Sequence, residues 1–157
     1  MDPSVDPGQL IGDMTVSDES LPQEVRNVRR SLLGPKAKIR IGAWNVRTMY
    51  ETSKTAQVIR EMERYRLDIL GVSECRWTGS GCRVINNGTV ILYSGHADTH
   101  IRGVALLVSK ETAHTLLEWE PISDRIIRAR FNSKHRKLTV IQCYAPTNEA
   151  DHWGHER

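Results

Sequence analysis

Two polar side chains close apolar, strand-like runs in this chain: Asn45 ends the run from Ile39 through Ile41, Ala43 and Trp44, and Glu74 ends the run from Asp68 through Ile69, Leu70 and Val72. A carboxylate beside an amide oxygen is a donor set for a hard divalent cation or for the groups around a phosphate. An apolar strand fixes its last side chain at the edge of a sheet, so Asn45 and Glu74 converge if their strands are neighbours. Metal- or phosphate-directed chemistry is the expectation from these two positions.

The segment between the runs supports that adjacency. Thr52 or Ser53 can cap a helix, and Ala56, Val58, Ile59, Met62 and Tyr65 recur at about 3.6 residues before Leu67 and Asp68 resume strand character. A strand, a crossover helix and a second strand make one βαβ-like unit, and parallel strands bring their ends to the same edge. The spacing therefore suits one shared site.

Five runs in this order, "IGAWNVRTM", "DILGVSECRW", "GVALLVS", "RIIRARF" and "VIQCYAPTN", resemble the front part of an endonuclease/exonuclease/phosphatase domain. Within that superfamily they are similar to the endonucleases of LINE-type retrotransposons and to the craniofacial development protein 2-like sequences derived from them. The resemblance covers residues 38 to about 148. It implies an α+β fold, a sandwich of mixed β-sheets flanked by helices, and metal-dependent phosphodiester hydrolysis. By the same resemblance Glu74 would be the main ligand of Mg²⁺ or Mn²⁺, and Asn45 would position the metal or the scissile phosphate. Tyr144 stands where the family places a phosphate-contacting phenol, able to donate to an oxygen as negative charge accumulates. The ion itself would polarise the phosphate and stabilise the leaving oxygen.

Departures from the pattern shape the expectation. Arg47 stands where the abasic-site repair branch carries an acid, and Thr147 followed by Asn148 replaces an Asn that often follows the Tyr-Ala-Pro run. The family's later Asp-x-Asn motif and its closing Asp-His pair have no counterpart, since Asp151 and His152 have no strand behind them. A sandwich of this kind runs to about 200–250 residues. Catalytic groups that act as a unit are strongly non-additive, with losses of about 10⁴- to 10⁶-fold. The chain is accordingly expected to be a truncated copy with its C-terminal half missing, weak or inactive as a nuclease, and exposing a sheet face through which it could self-associate or take a partner. The alternatives from the same residues are a non-catalytic remnant that binds nucleic acid or protein, and a phosphatase-type member of the superfamily.

Composition fits a globular piece. The chain has 157 residues, 39% hydrophobic and 26% charged, with no run near the ~20 apolar residues of a membrane span. No basic region precedes an apolar one at the start, so no secretory signal and no membrane are expected, and the expected setting is nuclear or cytoplasmic. Residues 1–24 carry six acids and no Lys or Arg, which leaves +9 on the remainder of a chain of net charge +3. That body could be drawn to a polyanion such as DNA, since each phosphate neutralised releases counterions. Residues 1–37 hold Pro3, Pro7, Pro22 and Pro35 with no sustained period, and read as a tail with a short basic helix over 25–33. Residues 38–148 read as the domain and 149–157 as a polar tail.

Beyond Glu74 the pattern is β. Cys82–Ile85 and Thr89–Tyr93 flank Asn86-Asn87-Gly88, a hairpin signal. Gly103–Val108, Arg125–Phe131 and Leu138–Tyr144 are further strand candidates, with a short helix over Glu111–Leu117. Arg76, Trp77, Arg125 and Asn148 are candidates for nucleic-acid contact, because aromatics stack on bases and guanidinium groups grip phosphates. Trp44 reads as core packing and Arg128 as a solvent-facing partner in an alternating strand. Cys75 and Cys82 have six residues between them, and a hairpin separates them from His96 and His100. That spacing does not suit one zinc ion, and three cysteines fit reduced thiols.

Overall fold

The computed structural model describes residues 38–132 and 136–145; the expected helix over 25–33, both tails, and Asn148 lie outside these. Among these residues eight strands and two helices follow in order: β1 Ile41–Asn45, α1 Thr52–Arg64, β2 Ile69–Ser73, β3 Ser80–Val84, β4 Val90–Ser94, β5 Val104–Val108, α2 Lys110–Ala113, β6 Leu116–Ser123, β7 Ile126–Phe131 and β8 Leu138–Cys143. They form an α+β sandwich. One sheet has five strands in the order β1-β2-β5-β4-β3, the other three in the order β6-β7-β8.

The βαβ reading holds at its central point. β1 and β2 pair in parallel, with Asn45 opposite Ser73, so Glu74 follows directly beyond the pair. The crossover α1 buries Val58, Ile59 and Met62, residues spaced to share one helix face. Its start differs from expectation: Glu51 occupies the cap position without a side-chain cap bond. Thr55 instead donates its hydroxyl to the Met49 carbonyl. Tyr65, counted on the apolar stripe, is 61% exposed, because the helix has ended: Arg66 turns to φ 51°. The amides of Arg66 and Leu67 then bond back to Glu63 and Met62, which closes the helix in a Schellman turn without glycine.

The sandwich has two apolar layers. Ile69, Val90, Leu92, Val104, Leu106 and Val108 face Leu116, Trp119, Ile127, Ala129 and Phe131 of the smaller sheet. On the opposite face Leu70, Val72, Ile91, Tyr93 and Leu107 pack against α1 together with Met49, Cys75 and Trp77. This alternation is the period of two expected of strands. The five-stranded sheet is covered on both faces over β2, β4 and β5, while β1 at its edge stays exposed. Among the described residues the large apolar side chains left exposed include Ile41 and Trp44 on β1, and Ile122 and Ile141 on the small sheet.

Trp44 is thus 41% exposed, not core, because β1 is the edge strand of its sheet. The helix expected over Glu111–Leu117 is only Lys110–Ala113, and Leu116 and Leu117 belong to a strand that the sequence reading missed. Register shifts between Leu116 and Glu118 and between Pro121 and Ser123 break its alternation, and a proline is tolerated because β6 is also an edge. The expected hairpin is present. Within Asn86-Asn87-Gly88 only the glycine carries a positive φ, 86°, and its amide bonds to the Ile85 carbonyl at 2.8 Å. No helix among the described residues is long and apolar enough to cross a membrane.

Candidate functional site

Asn45, Glu74 and Tyr144 meet on one carboxylate oxygen. The Asn45 amide donates from Nδ2 to Oε1 of Glu74 at 3.1 Å, and the Tyr144 hydroxyl donates to the same Oε1 at 2.9 Å. Asn45 is held from behind, its Oδ1 accepting the Arg47 amide at 3.1 Å. Asn45 and Glu74 come from the parallel ends of β1 and β2; Tyr144 follows β8 of the other sheet. The cluster therefore spans the mouth of the sandwich.

Tyr144 reaches this place through two residues that sequence reading did not single out. Gln142, two positions earlier and so on the same face of β8, lies over Gly71 and donates from Nε2 to the Ser73 hydroxyl at 3.0 Å. A Cβ on Gly71 would collide with the Gln142 amide, so the glycine supplies the room that lets the sheets approach here. The visible signal was the glycine in the middle of an apolar β run, a usual mark of close approach. The Tyr144 amide is tied to the Arg125 carbonyl at 2.9 Å, and the Arg125 guanidinium stands 6.0 Å over the Tyr144 ring.

The loop after β2 is conformationally costly. Glu74 and Arg76 have φ of 59° and 58°, as do nearby Arg47 at 60° and Arg102 at 51°, a region that non-glycine residues seldom enter at a cost of about 1–3 kcal/mol each. Backbone bonds impose it. Cys75 and Arg76 donate to the carbonyls of Gly103 and Arg102, and Met49 donates to the Cys75 carbonyl at 2.9 Å. The result turns the Glu74 side chain out toward Asn45 and Tyr144 while Cys75 points into the core, where burial pushes its thiol up to about 11.

Electrostatics around the carboxylate are mixed. The hydrogen bond to Glu74 raises the Tyr144 pKa above the ordinary phenol value, with burial and the Glu74 charge adding to it and Arg125 and Arg102 opposing it. The phenol therefore stays a donor at neutral pH. Arg102 is itself engaged with Asp124 at 3.4 Å.

The remaining candidates separate. Arg76 is exposed on the rim and Arg125 half-buried beside Tyr144. Trp77 lies inside the core, 3% exposed, its indole N–H donating to the Met49 carbonyl at 2.9 Å and its ring edge-on to Tyr93 at 5.0 Å. It offers no face to a base, which corrects its candidacy for nucleic-acid contact: closeness to Glu74 in sequence does not put it on the surface, because the backbone turns at Glu74 and Arg76. Arg128 pairs with Glu118 and Glu120 on the outer face of the small sheet. Cys75 and Cys82 belong to different core layers. Among the described residues no group of three or more His, Cys, Asp or Glu side chains gathers for a metal.

Fold and site define a two-sheet α+β sandwich with a carboxylate, an amide and a phenol converging at one end. No family model matches the chain. Over 111 residues, 71% of the chain, it is 43% identical to "Craniofacial development protein 2" of Bos taurus. The protein of the same name from Tragulus javanicus is 41% identical over 111 residues. The chain's match spans only 18% and 19% of the length of these two relatives.

Proposed function

We propose that this chain is a craniofacial development protein 2-like sequence carrying the metal- and phosphate-facing part of an endonuclease/exonuclease/phosphatase-type site, with DNA phosphodiesters as substrate. The observation that carries the reading is the convergence of Asn45 and Tyr144 on one oxygen of Glu74. Three residues picked for one chemistry from distant parts of the sequence share one hydrogen-bonded cluster.

The donor set fits a hard divalent ion held loosely. Mg²⁺ uses one or two carboxylates and completes its shell with waters and phosphate oxygens, and Glu74 would supply that carboxylate, with Asn45 donating to it from Nδ2 while its Oδ1 accepts the Arg47 amide. When bound, such an ion supplies Lewis-acid polarisation of the phosphate. The chain's own groups do the rest: Glu74 anchors, Asn45 orients the carboxylate and presents an amide N–H, and Tyr144 offers an O–H that can pass from the carboxylate to a phosphate oxygen. Arg76 and Arg125 would draw and hold the polyanionic backbone.

A non-catalytic DNA-binding role is favoured by a separate observation: the charges of Arg125 and Arg102 act on the Tyr144 phenol that donates to Glu74, and Arg76 lies exposed two residues beyond that carboxylate. Nicking of supercoiled plasmid by the 157-residue chain separates the two readings. Nicking that needs Mg²⁺, stops in EDTA and disappears in Glu74→Gln supports hydrolysis. A folded protein that binds the plasmid without nicking it refutes hydrolysis and leaves binding.

A further inference from the structure

We infer that Tyr50, braced edge-on by His100, is a stacking platform for an unpaired DNA base beside the phosphodiester that faces Glu74; the choice of DNA rests on the site reading above. Tyr50 is 58% exposed, and its ring centroid lies 4.4 Å from that of His100 with the planes at 64°. One ring thus supports the other and leaves an aromatic surface toward solvent.

Both rings are tied to the loop that carries Glu74, through two successive carbonyls. The His100 Nδ1 lies 3.0 Å from the Arg76 carbonyl oxygen; a carbonyl only accepts, so Nδ1 carries the hydrogen. Met49, the residue before Tyr50, is fully buried. Its amide bonds to the Cys75 carbonyl, and its carbonyl accepts the Trp77 indole N–H and the Thr55 hydroxyl. The Tyr50 amide also reaches the Thr48 hydroxyl at 3.2 Å. Buried and exposed needs diverge here: a fully anchored backbone presents a large aromatic to water, within the rim of Arg47 and Arg76. Nothing in the core requires a ring at that position.

Every nucleobase has a π face, and an aromatic side chain beneath one strengthens binding by about 5- to 150-fold per base. Bases inside a duplex already stack on both sides. The platform therefore selects a base at a flap, gap or single-stranded stretch next to the bound phosphate.

The test uses the 157-residue chain in EDTA, which keeps the DNA intact, with oligonucleotides carrying 2-aminopurine in either an unpaired or a fully paired position. The expected result is binding to the unpaired substrate with quenching of its fluorescence. Tyr50→Ala should weaken that binding about 5- to 150-fold and abolish the quench, whereas Tyr50→Phe keeps both. Tyr50→Ala binding and quenching like the parent, or no binding of unpaired DNA by the parent, overturns the inference. Plasmid nicking judges the site reading separately. Loss of nicking in Glu74→Gln with the quench intact supports both, and a Tyr50-dependent quench without any nicking supports the platform while removing hydrolysis.

Discussion

The phenol of Tyr144 donates to Oε1 of Glu74 across 70 positions of sequence, at 2.9 Å. The two residues leave different sheets, so this bond exists only when the sandwich is closed. It links the state of the fold to the state of the site: whatever moves β8 over β2 also moves the hydroxyl that donates to the carboxylate.

Tyr144→Phe should fold normally and lose phosphodiester chemistry by about 10²- to 10³-fold, the usual effect of removing one donor aimed at developing charge. The folded pKa of Tyr144 lies above its unfolded value, raised first by the Glu74 hydrogen bond. Its stabilising contribution is therefore complete below the unfolded phenol pKa of ~10 and is lost as pH rises through the folded value. Absorbance at 295 nm during alkaline titration should show a late phenol step that Tyr144→Phe deletes. A late part of the titration that is unchanged in Tyr144→Phe would contradict the geometry.

Gly71→Ala should destabilise the chain by about 1–3 kcal/mol, the usual cost of overpacking, because the added methyl collides with the Gln142 amide. The displaced Gln142 loses its bond to Ser73. Gln142→Ala removes the obstacle, so the double variant should be more stable than the sum of the two single changes predicts. Additive melting shifts would mean that the sheets do not meet through this pair.

Thiol labelling reads the layers of the sandwich. Cys75 is buried and Cys82 half-buried, both with thiols pushed up to about 11 by burial, while Cys143 is exposed on the outer face of β8. Iodoacetamide at pH 8 should modify one thiol rapidly in the native protein and three in denaturant, since only the thiolate reacts. Raised folded values also mean that stability from these thiols is full below the unfolded pKa of ~8.5 and declines as pH climbs toward 11. Rapid native labelling of Cys75 would place it outside the core.

The local part of this protein was written in its sequence. The apolar runs ending at Asn45 and Glu74, the helix between them and the Asn-Gly turn are dictated by side-chain period and backbone preference, which act over a few residues. Parallel pairing followed from the length of the crossover, and with it the approach of Asn45 to Glu74. Local signals failed where the backbone departs from a regular path: the bulged β6 with Pro121 hid its strand, and the positive φ at Glu74 and Arg76 precedes a Trp77 that lies in the core, although it stands only three residues from Glu74. Edge position decided Trp44, since a side chain is buried only if something lies over it, and no local pattern states which strand is last in a sheet.

The sequence by itself determined which residues stand at strand ends and what chemistry their types allow. Only the tertiary structure decided that Tyr144 reaches the same oxygen as Asn45, that Gly71 makes room for Gln142, and that Tyr50 and His100 meet beside Arg76. These are contacts between segments tens of residues apart, fixed by how two sheets dock, and the docking free energy is spread over the whole apolar interface between the sheets.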